Sequence, residues 1–430
     1  MNDICVSVIM PSLNVCEYIE VSLKSVMHQT LKEIEIICID AGSTDGTLDI
    51  IRKYMEEDKR IKLINSPVQS YGYQINYAIQ VARGEYIAVV ETDDYIDFNM
   101  YQELYDVAIR TLADIVKCNY LAFWTQKNEE KVFLKRENLE NKDLYNTVIR
   151  PLEEPQTASN DWYLWTGIYR KSMIIENDIK LSETKGAAFQ DIGFLHRSNA
   201  ASKGSVYINK AFYYYRLDRE DSSSNSGKGI EYSFYEYKRL LSENWGKEEL
   251  VALFVRMATF FKGCINGIVE KDLSDEKTRT QFGWFRDNLS NAIEKGIINK
   301  TNINSVVWRC INPLPISIDE VYENKIRKTK SLTNILGFAD EYKIIIFGCG
   351  NFGYCAKECL IQNGYTIKAY SDNNKDLWGT CIENIPIISP QDIDISDGKT
   401  KIVIANERYF EDIKLQLLSL DIPEETIAIY

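Results

Sequence analysis

The chain is organised around the stretch Gly84-Glu85-Tyr86-Ile87-Ala88-Val89-Val90-Glu91-Thr92-Asp93-Asp94-Tyr95-Ile96. Its apolar part, Tyr86 to Val90, shows no two-residue alternation, which is typical of a strand buried on both faces of a parallel sheet. Three carboxylates follow directly, at Glu91, Asp93 and Asp94. At the mouth of a low-dielectric sheet they repel one another unless a cation, or water with a cationic ligand, balances them, and hard divalent ions prefer such oxygen ligands. Because ligands of open α/β sheets bind just beyond the carboxyl ends of the strands, the stretch predicts a cation site, with a solvated acidic turn as the alternative.

Length and composition restrict the class of protein. A chain of 430 residues, 45% hydrophobic and 26% charged, predicts two or three globular domains. It lacks an apolar run of the ~18 to 20 residues that cross a membrane, and the basic and apolar regions of a signal peptide, so we expect a cytoplasmic protein. Ten cysteines without zinc-like pairing indicate reduced thiols, and a net charge of −13 argues against nonspecific nucleic-acid binding. Because there are only two histidines, carboxylates are the first candidates for catalysis.

The N-terminal part of the chain alternates strand and helix patterns, as in a parallel α/β sheet. Apolar runs predict strands at residues 6–10, 34–39, 61–64, 86–90 and 114–120, and apolar residues at helical spacing lie between them. Acidic turns follow the second and the fourth of these strands, at Asp40 and at Glu91 to Asp94. The two turns can therefore face the same crevice.

Four ordered motifs give this region a family resemblance. They are Ser7-Val8-Ile9-Met10-Pro11-Ser12-Leu13-Asn14, then Ile39-Asp40-Ala41-Gly42-Ser43-Thr44-Asp45-Gly46-Thr47, then Gly72 to Asn76, then Gly84 to Asp94. In order and approximate spacing they resemble the motifs of family 2 glycosyltransferases with the GT-A fold. The resemblance implies an α/β nucleotide-sugar-binding domain with a mixed, mainly parallel sheet.

The resemblance also implies roles for individual residues. Pro11 and Asn14 lie against the nucleotide, and Asp40 reads a uracil-type base. Asp93 is the principal ligand of an Mn²⁺ or Mg²⁺ ion that bridges the diphosphate, with Glu91 and Asp94 assisting. The expected donor-binding set is Pro11, Asn14, Asp40, Ser43, Gly72, Asn76, Glu91, Asp93 and Arg216.

Three positions depart from the family pattern. Ala41 replaces a second acid, which bears on the choice of nucleotide, and Glu91 replaces an aspartate, which changes the reach of the ligand by one methylene. Gln190 replaces the first member of an acidic pair whose second member, Asp191, is retained. The family uses that second acid as the catalytic base, so the resemblance implies this role for Asp191. A helix cap or an ion-paired carboxylate is the alternative.

Aromatic and cationic residues follow in the next region. Trp162 and Trp165 are either an apolar platform for an acceptor sugar or core aromatics. Arg216 ends a predicted strand before a serine-rich loop at residues 218–228, which is either a cover over the donor or a surface connection. From residue 230 to about 340 the pattern is helical, and its apolar stripe is interpreted as core or subunit contact rather than as a membrane anchor.

A second α/β pattern begins at Lys343. A buried strand leads into Gly348-Cys349-Gly350-Asn351-Phe352-Gly353, and Asp372 follows the next strand. These are the parts of a mononucleotide-binding βαβ unit, and they resemble the small Rossmann-like domains appended to bacterial polysaccharide enzymes. Gly348, Gly350, Gly353 and Asp372 therefore form a candidate second nucleotide site, and tight packing of helix on strand is the alternative.

We expect three regions: a GT-A domain at residues 1–229, a helical acceptor-side region at 230–340 and a Rossmann-like α/β domain at 341–430. The expected activity is inverting transfer of a sugar, from a UDP-sugar or similar donor to a hydroxyl of a glycan or lipid-linked acceptor in surface polysaccharide synthesis. The alternatives are a nucleotide-dependent sugar-modifying enzyme that uses the C-terminal domain, and a noncatalytic sugar-nucleotide-binding protein. Association with the inner face of the membrane and with further copies of the chain is left open.

Overall fold

The computed structural model describes residues 4–125, 131–219, 229–268, 270–324, 336, 342–406 and 409–430. The chain divides into two compact units. The first comprises residues 1–123, 135–267 and 275–314, so that the helices after residue 229 belong to the same unit as the N-terminal sheet. The second comprises residues 124–134, 268–274 and 315–430.

The strands and helices are numbered along the chain. The strands are β1 (Val6–Ser12), β2 (Ile34–Asp40), β3 (Ile61–Asn65), β4 (Tyr86–Val89), β5 (Tyr95–Ile96), β6 (Ile115–Thr125), β7 (Lys131–Arg136), β8 (Val148–Ile149), β9 (Gly167–Arg170), β10 (Ser205–Arg216), β11 (Lys343–Phe347), β12 (Thr366–Ser371), β13 (Cys381–Ile382), β14 (Ile385–Ile388), β15 (Thr400–Ile404) and β16 (Ile427–Ile429). The helices are α1 (Ile19–Met27), α2 (Thr47–Glu57), α3 (Tyr71–Val81), α4 (Met100–Thr111), α5 (Lys171–Glu176), α6 (Asp191–Ala201), α7 (Gly229–Leu240), α8 (Lys247–Gly267), α9 (Glu276–Glu294), α10 (Ser305–Ile311), α11 (Asn351–Gln362) and α12 (Phe410–Ser419).

The first sheet is mixed, with a parallel half and a half that contains antiparallel pairs. Its strands follow the order β3-β2-β1-β4-β9-β6-β10-β5. The pairs β3–β2, β2–β1 and β1–β4 are parallel, whereas β9 runs antiparallel to both β4 and β6. The predicted fold class, a GT-A domain with a mainly parallel sheet, is confirmed.

The central strands are buried on both faces, as their unbroken apolar runs predict. In β4, Ala88 belongs to one apolar cluster and Ile87 and Val89 to another. Val8 and Ile9 of β1 separate in the same way between the two clusters. Since alternate side chains point to opposite faces of a strand, helices cover the sheet on both sides.

Helix α8 is long and apolar enough to cross a membrane by length and composition alone. Within the first unit its buried residues include Leu253, Met257 and Phe261, and also the charged Arg256. An apolar stripe that packs inside a globular unit agrees with the interpretation as core.

The second unit contains a smaller sheet in the order β13-β14-β12-β11-β15-β16. The five strands β14, β12, β11, β15 and β16 are parallel. In chain order they run 3-2-1-4-5, the order with which doubly wound nucleotide-binding sheets begin. Ile344 and Ile346 pack in one cluster with α11, and Ile345 and Phe347 pack in another with α12, so the two helices cover opposite faces.

Candidate active site

The carboxyl edge of the first sheet begins with a closed loop after β2. Asp40 is 1% exposed, and its carboxylate accepts hydrogen bonds from the hydroxyls of Ser12 (2.7 Å) and Ser43 (2.6 Å). It also accepts from the backbone N–H groups of Gly42 (2.9 Å) and Ser43 (2.7 Å). Asn14 accepts from the N–H of Thr44 at 2.9 Å and stands at φ 52°. The structure therefore brings Asn14, Asp40 and Ser43 together as a preformed loop.

The acidic end of β4 lies on the same edge. The parallel register pairs Ser12 with Asp40 and Ile9 with Val89, and the hydroxyl of Thr92 donates to the carbonyl of Pro11 at 2.9 Å. The two acidic turns therefore meet at one end of the sheet, as their positions after parallel strands predict.

Asp94 points into the protein rather than to the edge. It is 1% exposed, and its carboxyl group accepts from the hydroxyl of Tyr213 (2.8 Å) and from the N–H of Arg216 (2.7 Å). Burial, together with the nearby charge of Asp93, raises its pKa well above the ordinary value. Asp94 thus connects β4 to β10, and its contacts do not place it among metal ligands.

Glu91 faces the crevice beside the first turn of α3. Its carboxyl group accepts a hydrogen bond of 2.5 Å from the hydroxyl of Tyr71. The pKa of Glu91 is raised to about 8, mainly by burial and also by the charges of Asp93 and Asp191, whereas the Tyr71 hydrogen bond and Arg219 oppose the rise. At neutral pH the carboxyl group of Glu91 is therefore mostly protonated.

Asp93 is partly exposed and lies beside two arginines. Arg219 pairs with its carboxylate at 3.0 Å, and Nε of Arg216 donates to its carbonyl at 3.0 Å. The guanidinium of Arg216 also lies 4.9 Å from the ring centroid of Tyr18 and 3.1 Å from Asp218. Both cations therefore lie beside the acidic end of β4. Residues 220–228, which form most of the predicted serine-rich loop, lie outside the described residues.

Gly72 and Asn76 of α3 hold the segment that leads to Asp191. A Cβ atom on Gly72 would lie 2.0 Å from the carbonyl oxygen of Ser182, so only glycine fits. The amide of Asn76 donates to the carbonyl of Leu181 (2.9 Å) and accepts from its N–H (3.0 Å). Both residues were predicted in the donor-binding set, and in the structure they contact residues 181–183 and Gln190.

Gln190 completes this attachment. Its side-chain oxygen accepts from the N–H of Gly72 at 2.9 Å, and its amino group donates to the carbonyl of Thr184 at 2.7 Å. A carboxylate could make the first contact but not the second, because it has no proton to donate. The adjacent Phe189 has φ 58°, a costly conformation for an aromatic residue that the surrounding contacts must stabilise.

Asp191 is the first residue of α6. Burial raises its pKa to about 6, although its own N–H and the charges of Arg256 and Lys117 counteract the rise. Its neighbour Gln190 accepts from the N–H of Gly72, and the adjacent Tyr71 donates to Glu91, so these contacts connect the start of α6 to the acidic end of β4. A carboxylate that titrates near neutral pH at a helix N-terminus suits a general base.

Two of the three predicted metal ligands are accessible at the crevice. Glu91 and Asp93 each have one side-chain partner there, whereas Asp94 is buried and both of its oxygens already accept hydrogen bonds. The described residues contain no group of three or more His, Cys, Asp or Glu side chains arranged around a metal. One or two carboxylates are nevertheless the protein ligands typical of Mg²⁺ when substrate phosphates supply the rest.

The two tryptophans of the predicted acceptor platform have different environments. Trp165 is 4% exposed and stacks on Tyr213 (4.1 Å between ring centroids) and on Tyr163 (4.5 Å), so it corresponds to the alternative of a core aromatic. Trp162 is half-buried, and its indole N–H donates to the carbonyl of Ser159 at 2.7 Å.

Three contributors were missed by the sequence reasoning: Tyr71, Tyr213 and Arg219. Tyr213 has its hydroxyl between the acidic residues, donating to Asp94 and accepting from the N–H of Glu91 at 3.0 Å. Tyr71 could have been found from the sequence, because it directly precedes the motif Gly72 to Asn76. Alternation along β10 could have indicated that Tyr213 and Tyr215 share one face of the sheet. In the structure both stack on Trp165.

The residues of the candidate second nucleotide site all lie in the second unit. Gly348 follows β11, Gly350 and Gly353 flank the start of α11, and Asp372 follows β12. They are therefore at the carboxyl edge of the smaller sheet.

A mixed α/β sheet with a parallel half, an acidic strand end, a preformed loop after β2 and an arginine-bearing strand is the arrangement of the GT-A class. The crystal structure of Staphylococcus aureus TarS 1–349 in complex with UDP-GlcNAc has a similar fold, with a TM-score of 0.53 at 19% identity over 70% of this chain and 84% of that chain. Residues 7–169 match the family model Glycosyl transferase family 2, and residues 340–428 match the model C2185-like, N-terminal. Residues 7–169 of this chain are a glycosyltransferase family 2 domain.

Curated relatives agree with this assignment. The chain is 30% identical over 185 residues to the uncharacterized glycosyltransferase EpsJ of Bacillus subtilis, which is 41% of this chain and 53% of EpsJ. It is 26% identical over 264 residues to the poly(ribitol-phosphate) beta-N-acetylglucosaminyltransferase TarS of S. aureus, which is 58% of this chain and 43% of TarS. The chain thus spans about half the length of these relatives.

Proposed function

We propose that this chain is an inverting glycosyltransferase that moves a sugar from a nucleotide diphosphate donor to a hydroxyl of a glycan or lipid-linked acceptor. The observation that carries the proposal is the position of Asp191 directly after Gln190, whose contact with Gly72 connects it through Tyr71 to Glu91 at the acidic end of β4. Burial raises the pKa of Asp191 to about 6, which suits a base. A UDP-sugar is the proposed donor, supported by the UDP-GlcNAc in the TarS complex and by the preformed loop around Asp40. Surface polysaccharide synthesis at the cytoplasmic face of the membrane is the proposed setting.

In the proposed reaction Asp191 removes the proton of the acceptor hydroxyl as the oxygen attacks the anomeric carbon. The bond from that carbon to the diphosphate breaks, and the nucleoside diphosphate leaves with the electron pair. Arg216 and Arg219 stand beside the acidic strand end and oppose the negative charge that builds on the leaving group. Glu91 and Asp93 would hold a Mn²⁺ or Mg²⁺ ion, which supplies further charge stabilisation to the diphosphate when bound.

The first prediction concerns the base. Asp191→Asn should lower the turnover number by ~10² to 10⁴, because it removes the group that takes the proton, while donor affinity stays nearly unchanged. Turnover is measured as nucleoside diphosphate release with acceptor sugars, and affinity by calorimetry. Asp49→Asn, on the exposed surface of α2, is the matched control. Near-normal transfer by Asp191→Asn would refute the assignment.

Product formation separates this proposal from the two alternatives. Transfer, or slow donor hydrolysis that stops with a chelator, supports the transferase. Redox change of added NAD supports a sugar-modifying enzyme, and saturable donor binding without turnover supports a noncatalytic protein.

A further inference from the structure

A cavity of about 320 Å³ lies at the carboxyl edge of the smaller sheet, far along the chain from the site above. Its lining includes Phe347, Asp372, Asn373, Asn406, Asp412 and Gln416. These residues come from the ends of β11, β12 and β15 and from α12. The size is at the lower end of small-molecule sites.

The cavity coincides with a switch in the topology of the sheet. Chain connections from β11 lead to β12 on one side, and the later β15 pairs with β11 on its other side. Since α11 and α12 cover opposite faces, a crevice opens between the ends of β11 and β15. In open α/β sheets this crevice is where ligands bind.

The three glycines of the turn after β11 have different reasons to be glycine. Gly348 has φ +114°, and a Cβ atom on Gly353 would lie 1.9 Å from the carbonyl oxygen of Gly348. Both are therefore required by the backbone itself. Gly350 has φ −83°, and nothing lies within 4 Å of the position of a Cβ atom. Packing does not require this glycine, and the bare position leaves room for a group that approaches from outside.

Unused hydrogen-bonding groups remain on Asp372, which lines the cavity, and on the preceding residue, Ser371. Each carboxylate oxygen of Asp372 accepts one backbone N–H, from Cys349 (2.9 Å) and from Asn374 (2.8 Å), and the thiol of Cys349 also hydrogen-bonds to this group. Since a carboxylate has about four acceptor positions, it can accept a further donor. The hydroxyl of Ser371 is fully buried without a hydrogen-bond partner. Ser371 pairs in register with Phe347, which lines the cavity, so the two side chains share one face of the sheet.

The chemistry of the lining selects a ligand class. Carboxylates and amides accept and donate to hydroxyl groups, and no lysine or arginine occurs among the described lining residues. A phosphate is therefore better placed at the first turn of α11, where the backbone N–H groups have no intrahelical partner and Gly350 leaves the approach open.

We propose that the second unit binds a nucleotide, with its nucleoside in this cavity, its ribose hydroxyls on Asp372 and its phosphate beside Gly350. This site is separate from the proposed donor site and does not depend on sugar transfer.

The test is calorimetric titration of the full chain with AMP, ADP, UMP, UDP and NAD. Gly350→Val places a branched side chain in the open approach, at a position where nothing lies within 4 Å of the Cβ atom. Asp372→Asn removes the negative charge from the group that would accept the ribose hydroxyls. Asp376→Asn, at an exposed carboxylate of the same loop, is the control. Circular dichroism and the thermal midpoint establish that each variant is folded.

We expect at least one of these nucleotides to bind the wild-type chain and the control equally, and both test variants at least 10-fold more weakly. For a nucleotide that also binds the first unit, the stoichiometry should fall from two to one. The proposal is overturned if none of the five binds beyond the stoichiometry of the first unit, or if either folded test variant retains wild-type binding. Turnover by Asp191→Asn is a separate measurement, so failure of one proposal leaves the other standing.

Discussion

Asp93 and Asp94 are chemically identical neighbours with different environments. Asp93 is partly exposed beside Arg219, whereas Asp94 is 1% exposed and accepts from Tyr213 and Arg216. The two residues lie in the turn between β4 and β5, which is closed by a hydrogen bond of 3.1 Å from the N–H of Asp94 to the carbonyl of Glu91. The sequence cannot show which of the two is buried, since both are acids with the same local neighbours.

Asp93→Ala should remove the response of UDP binding to Mn²⁺, because the exposed carboxylate is the proposed ligand. Calorimetry with and without Mn²⁺ measures this response. If the metal still strengthened binding by the wild-type factor, Asp93 would not be the ligand.

Asp94→Ala should instead lower the free energy of unfolding by about 1–3 kcal/mol, because the N–H of Arg216 and the hydroxyl of Tyr213 lose their buried acceptor. Urea unfolding followed by circular dichroism measures the change. Equal stability of Asp94→Ala and wild type would contradict the buried connection between β4 and β10.

The acid limb of the pH profile is also a residue-scale property. Asp191 can accept a proton only when ionised, and its pKa is about 6. The turnover number should therefore fall about tenfold per pH unit below that pH and level off above it. Initial rates from pH 5 to 8 test this dependence; a flat profile, after correction for stability, would exclude Asp191 as the base.

At the scale of the element, α3 acts as a support for α6. Its first two turns contact residues 181–190, which immediately precede Asp191. The contacts are made by Gly72, by Asn76 and by the side-chain oxygen of Gln190, which accepts from the N–H of Gly72. The helix itself was predictable from apolar spacing. Its partner was not, because residues 72 and 190 are far apart in the chain and no local pattern relates them.

Gly72→Ala should therefore destabilise the protein by about 1–3 kcal/mol, since the new methyl group overlaps the backbone at Ser182. Because the displaced segment carries Asp191, the turnover number should fall more than donor affinity does. Thermal unfolding and kinetics measure both effects.

Gly263→Ala on α8 is the control for Gly72→Ala. Nothing lies within 4 Å of its Cβ position, so alanine should stabilise the helix by about 0.5–1 kcal/mol. If the two substitutions had the same effect, the contact between Gly72 and Ser182 would not hold the segment.

At the scale of the whole molecule, most of the strands could be predicted. The predicted strands 34–39 and 61–64 differ by one residue from β2 and β3, because buried parallel strands are continuous apolar runs. The antiparallel insertion of β9 between β4 and β6 was not predicted, since pairing depends on distant segments. The buried pair of Lys117 and Asp161 was missed for the same reason, as the two residues lie on separate elements.

Donor binding should affect one unit selectively. With a UDP-sugar and Mn²⁺ in excess, hydrogen exchange should slow at residues 40–46 and 91–94, while exchange in β11 and β15 stays unchanged unless the nucleotide also binds the second unit. A donor at a hundred times its dissociation constant stabilises the domain that binds it by ~2.7 kcal/mol, which is measurable. Uniform slowing over both units would contradict a local donor site.

The amide of Gln190 has an evolutionary consequence. Because it accepts from Gly72 and donates to Thr184 at once, a single change to glutamate would break the second contact and place a second negative charge beside Asp191. We therefore expect the residues at positions 184 and 190 to change together along a lineage.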